Sequence, residues 1–105
     1  MSFFHLKSGT LTTFYYGGET EASELDGIFP CVKRRYDGED YSDSDGMLYV
    51  FGDDISDRFA LDGDTLGGRT VRKQEISVDG YSYVVGKLRP IFSGGRLHHM
   101  EIGVI

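Results

Sequence analysis

The residues of this chain that could do chemistry fall in short clusters. Asp43-Ser44-Asp45-Gly46 echoes the opening of a calcium loop. An EF-hand also needs a ligand two positions before Asp43 and a glutamate six positions after the glycine, and those places hold Tyr41 and Gly52, so the pattern fails. His98 and His99 are adjacent, and on a strand adjacent side chains point to opposite faces, which denies them a shared metal ion. Cys31 stands alone with no nucleophile signature around it and is expected to be a small buried residue. Asp53-Asp54 and Asp62/Asp64 offer carboxylate pairs of the kind acid/base catalysis uses, but Asp and Gly are also the ordinary chemistry of turns. Gly67-Gly68-Arg69-Thr70 lacks the Lys-Ser/Thr pair of a phosphate loop. Tyr15, Tyr16, Tyr49, Tyr81 and Tyr83 are expected to serve core and interface packing before any platform for sugars or bases. No catalytic, cofactor-binding or metal-ligating residue is assigned, and the chain is not expected to be an enzyme.

The elements around these clusters are strands. Glu75-Ile76-Ser77-Val78 runs into Asp79-Gly80 and returns as Tyr81-Ser82-Tyr83-Val84-Val85. Asp-Gly tolerates the positive φ of a type I′ turn, so this stretch predicts a β-hairpin with Ile76, Val78, Tyr81, Tyr83 and Val85 toward a core. Leu11 to Tyr16 predicts the first strand, stopped at Gly17-Gly18, and Glu19 to Ser23 reads as a polar link. Leu25 to Val32 resumes extended character, with Pro30 confined to an edge or a bulge because it has no N–H to donate. Met47 to Phe51 is a nearly continuous apolar strand, and Asp54 to Leu61 has the spacing of one helical turn. Gly86 marks a bulge in the second hairpin arm and Pro90 its close, and Ser93-Gly94-Gly95 is a turn. Leu97 to Ile105 alternates as a final strand with His98, Met100, Ile102 and Val104 on one face. The expected fold is all-β, a small β-sandwich or partly open β-barrel of about six to seven antiparallel strands with one short helical turn. Residues 1–105 form a single domain, with a flexible N-terminal arm at 1–10, since terminal residues are loose unless docked, and a mobile acidic loop at 37–46, too poor in apolar anchors to offset the entropy of ordering.

Composition agrees. With 105 residues the chain buries about two thirds of its unfolded surface, enough for a thin core. Gly 15, Tyr 7 and Phe 7 suit short strands and tight turns. The single cysteine fits a reducing compartment, and no apolar run nears the roughly 18 residues of a membrane span, so a soluble, unexported protein is expected. Charge is uneven: residues 1–68 carry 5 Lys/Arg against 14 Asp/Glu, or −9, and residues 69–105 carry 6 against 3, or +3. The acidic part would repel a phosphate backbone, which disfavours tight binding of nucleic acid. The basic residues Arg69, Arg72, Lys73, Lys87, Arg89 and Arg96 form a candidate interface patch for the acidic part of another copy or partner.

Leu25-Asp26-Gly27-Ile28-Phe29, the strand and Asp-Ile step from Leu48 to Ile55, Gly63-Asp64, the Ile76–Val85 hairpin and the glycine turn before a last strand follow one another in an order that resembles the head–tail joining (head completion) proteins of lambda-type tailed phages. The resemblance implies copies assembled as a hexameric ring between the portal-side connector and the tail, at the head–tail junction of a virion put together in the host cytoplasm. It also implies an N-terminal arm, carrying Phe3, Phe4 and Leu6, and an assembly loop, carrying Asp37, Glu39, Asp40, Tyr41, Asp43 and Asp45, that order on docking. DNA would pass an acidic lumen without specific binding. The other functions open at this point are a different tail or tail-terminating component and, from another class, a small ligand-binding β-barrel.

Overall fold

The computed structural model describes residues 6–31, 46–53 and 55–105. Seven strands follow one another as β1 (Lys7–Tyr15), β2 (Thr20–Cys31), β3 (Gly46–Val50), β4 (Thr65–Leu66), β5 (Arg69–Val78), β6 (Tyr81–Ser93) and β7 (Arg96–Val104), with a 3-10 turn at Ile55–Arg58. All pairings are antiparallel, in the order β1-β2-β3-β7-β6-β5, and β5 returns to β1 from Thr10↔Ser77 to Tyr15↔Val71. The fold is therefore all-β, and of the sandwich and the open barrel it is a barrel, closed by that last pairing. Closure pairs β1 and β5, the strands whose edges would otherwise be bare, from Thr10 to Tyr15. Short β4 pairs only with β5, outside the ring of six. No helix among the described residues is long and apolar enough to cross a membrane.

The turns follow from residue type. Asp79 and Gly80 both have positive φ, 55° and 80°, as the two central residues of a type I′ turn require, and β5 and β6 pair across them as Val78↔Tyr81. Gly67 and Gly68 do the same between β4 and β5, with φ of 59° and 79°. Alternation then sends Ile76 and Val78 inward with Val85, where they meet Leu11, Leu25, Ile28, Leu48, Val50, Met100, Ile102 and Val104. Tyr83 packs at the margin of this cluster, but Tyr81, at the tip, stays 66 % exposed.

Several expectations need correction. The arm ends sooner than residue 10, because Lys7 to Thr10 already belong to β1 and pair with β2. Gly9 lets the strands close there: a Cβ on it would run into the Ser77 carbonyl oxygen and the Ile28 side chain. The polar link at 19–23 is instead the start of β2, paired with β1 from Phe14↔Thr20 onward. Its strand character was hidden because Glu21 to Ser23 border an open cleft and all of Thr20 to Glu24 are exposed, so neither face is apolar. Gly46 is not loop but the first residue of β3, partnered with Val104.

Pro90 does not close β6, which runs on to Ser93. β5 pairs with β6 only through Val84, so Pro90 lies where β6 has β7 as its one neighbouring described strand and a missing donor is tolerated. Pro30 likewise lies beyond Ile28, the last β2 residue paired with β1. The bulge expected at Gly86 is present as a register shift between Val85 and Lys87.

Candidate functional site

At one mouth of the barrel the segment after β3 folds in as a plug. Ile55, Phe59 and Ala60 are buried beneath it, and Gln74, a strand residue at 1 % exposure, ties it down. The Gln74 amide nitrogen donates to Thr13 Oγ1 (2.9 Å) and to the Arg58 carbonyl (2.8 Å), and its oxygen accepts from the Ala60 N–H (2.8 Å). Every polar atom of this buried amide is thus satisfied, the condition for such a group to hold a structure together.

Beside the plug lies an open cleft of about 520 Å³, walled by Tyr15, Glu21, Ser23, Asp57, Arg58 and Arg69 among others. Tyr15 donates its hydroxyl to Glu21 Oε1 (3.1 Å), and the Arg69 guanidinium lies 4.0 Å from the Tyr15 ring centre while pairing with Glu21 (3.1 Å) and more loosely with Glu19 (3.8 Å). Burial, and then the hydrogen bond and negative charge of Glu21, hold the Tyr15 phenol above its ordinary value of 10.0. For Arg69, burial works against the charge, but Glu21, Tyr15 and Glu19 outweigh it and the guanidinium is held more firmly protonated. Arg58 donates to Ser23 Oγ and to the Glu24 carbonyl. Tyr15, Glu21 and Arg69 are thus engaged with one another, and Arg58 with Ser23 and the β2 backbone.

Of the carboxylate pairs considered from the sequence, Asp62 and Asp64 each hold a local hydrogen bond. Asp62 accepts from the Tyr16 hydroxyl (2.6 Å), which raises the Tyr16 pKa, and Asp64 accepts from the Leu61 N–H (2.9 Å). Asp53 is exposed and 4.0 Å from Arg96. Asp54 lies outside the described residues, and only the backbone of Cys31 is described.

The basic patch divides into two. Arg69, Arg72 and Lys73 lie along β5, where Arg72 and Lys73 approach the Phe14 ring (5.7 and 4.8 Å) and Lys73 pairs with Glu75 (2.9 Å). Lys87 and Arg89 lie on β6 and Arg96 opens β7. β3 pairs with β7 only from Met100 onward, so β6 from Lys87 and β7 up to His99 have only each other as neighbouring described strands. They form a two-stranded ribbon with Phe92, 63 % exposed, near its tip. Of the arm residues, Leu6 is exposed, and Phe3 and Phe4 lie outside the described residues, as do Asp37, Glu39, Asp40, Tyr41, Asp43 and Asp45.

The histidines contradict the geometry expected of a regular strand. Ile91 pairs with His99 and Phe92 with Leu97, so His98 is an extra residue, a bulge without a cross-strand partner. Met100, Ile102 and Val104 keep the interior face, but His98 is turned outward and joins His99 on one side, Nδ1 to Nδ1 at 2.8 Å. Tyr49 (5.4 Å) and Phe51 (5.2 Å) flank the His99 ring, and Phe29 stacks on Tyr49 (6.2 Å). No local signal foretold this row or the Tyr15–Glu21–Arg69 trio, whose members lie up to 54 positions apart in sequence.

No protein-family model matches this chain, and no curated protein or solved structure matches it either.

Proposed function

We propose that this chain is a non-catalytic assembly protein that joins the capsid connector to the tail of a phage or prophage virion, as one subunit of a ring. One observation carries this reading: the barrel interior is filled by side chains and its mouth is plugged through Gln74, while aromatic and basic residues that the core does not use stand outside, at Tyr81 and on the β6–β7 ribbon. A barrel built to hold a small ligand keeps its interior open, so the filled interior supports action through surfaces over a ligand-binding module.

The charge distribution refines the expected contact. The exposed ribbon, with Arg89 and Phe92 facing solvent, is the part of the basic patch that would dock on an acidic surface of the next copy. Such a contact between unlike patches is heterologous, and a fixed rotation between copies closes it into a ring, of six if the family resemblance holds. An excess of negative charge along the DNA path would let the duplex slide.

Deleting the gene from the genome that encodes this chain tests the proposal. The expected outcome is DNA-filled heads and free tails accumulating side by side, with joining restored when purified protein is added. Joined, infectious particles without the gene would refute it. Tails of uncontrolled length would point instead to a tail-terminating role.

A further inference from the structure

We propose that the cleft beside the plug receives the β6–β7 ribbon of a second copy of this chain, with Phe92 as the anchor. The contact rests on the ring assembly proposed above and supplies the acidic surface that the ribbon meets. Charge selects the pair. From Lys87 to His99 the ribbon holds three Lys or Arg and no acidic residue, whereas the stretch from Gly17 to Asp26 holds four acidic residues and no basic one. Glu21 to Ser23 form one wall of the cleft, and Glu19, Glu24 and Asp26, on either side of them in the chain, are exposed. Arg58 and Arg69 are already held by that wall, through Ser23, the Glu24 carbonyl and Glu21. With Asp57 also lining the cleft, the rim keeps an excess of negative charge for an incoming basic ribbon.

The apolar parts match as well. Buried Leu11 and Tyr15 line the cleft together with Ala22 and Leu66, and its volume of about 520 Å³ takes one aromatic side chain with part of the turn that carries it. Phe92, 63 % exposed on its own chain, stands at the ribbon tip beside Ser93-Gly94-Gly95. An aromatic anchor in an apolar pocket inside a charged rim is the usual anatomy of a strong contact. Within one chain the plug keeps the two parts separate: Asp57, on the plug, is the one residue that lines both the cleft and the groove bordered by Phe92. A ribbon on one side of the plug and a cleft on the other suit a head-to-tail ring, in which each copy gives its ribbon to one neighbour and takes that of the other. The ribbon docks by its tip and not by adding a strand, because Pro90 and the His98 bulge deprive its edges of a continuous ladder.

The test places the photoreactive residue p-benzoylphenylalanine at position 92 of the full chain, mixes isotope-labelled with unlabelled copies, and maps the crosslinks by mass spectrometry, in concentrated solution and in joined particles. Crosslinks between labelled and unlabelled chains are expected, landing on the cleft walls at residues 11–23 or 66–69. Phe92→Ser and Arg89→Glu, both at exposed positions, should each weaken self-association by roughly a factor of ten in sedimentation, with the melting temperature unchanged. Crosslinks confined to one chain, crosslinks on another face of the neighbour, or none in either setting would overturn the contact. The two readings fail separately. Crosslinks at the cleft from a chain whose deletion leaves particles joined would keep the contact and remove the virion role, whereas crosslinks elsewhere in joined particles would keep the role and remove the contact.

Discussion

The plugged mouth and the β6–β7 ribbon are built from the same kind of strand but by opposite rules. At the mouth, β1 is paired on both sides, with β2 and with β5, and a buried amide and several ion pairs tie the elements together. Along the ribbon each strand has one neighbouring described strand, Phe92 faces solvent, and a bulge and a proline interrupt the ladder. Closure gives stability, whereas the ribbon gives surface. Substitutions at the mouth should therefore cost folding free energy, and substitutions on the ribbon should cost assembly.

The sharpest break of that contrast is Gln74→Ala. It orphans the Ala60 N–H, the Arg58 carbonyl and the Thr13 hydroxyl at once, so a loss of about 3 kcal/mol or more is expected in urea unfolding. A loss below about 1 kcal/mol would mean that the plug is not held by this network. Gly9→Val comes next, at about 2 kcal/mol, since the new side chain must displace the Ser77 carbonyl or the Ile28 methyl group.

Tyr15→Phe should act mainly through pH. The folded phenol holds its proton more tightly than the unfolded one, so its contribution is complete below the ordinary tyrosine value of 10.0 and is lost as pH rises through the higher folded value. The wild-type melting temperature should therefore fall across that alkaline window and the Tyr15→Phe melting temperature should fall less. Equal slopes would refute the assignment. Phe92→Ser on the ribbon and Lys7→Ala, which breaks the exposed Lys7–Asp79 pair (3.1 Å), should each shift stability by about 0.5 kcal/mol or less.

The same contrast explains what could be read in advance. The Asp79-Gly80 turn, the 3-10 turn after Asp54, the glycine turns and the Gly86 bulge rest on local chemistry and were legible from a few neighbouring residues. Closure of β1 on β5 was not, because Leu11 and Ile76 are 65 positions apart and no nearby residue records that they meet. The start of β2 carries no alternation because both its faces are polar. Gln74 gave no sign of being core, since a glutamine is buried only when a partner set elsewhere in the chain awaits it. The His98 bulge was invisible for a related reason: an extra residue on one strand is defined only by its partner strand.

The central claim is that this barrel works by docking through its exterior. Its most direct measurement is particle joining with a Tyr81→Ser/Phe92→Ser double variant whose melting temperature has first been checked against the wild type. Unjoined heads and tails from a variant that melts like the parent are the expected result. Wild-type numbers of joined, infectious particles from that variant would contradict the claim.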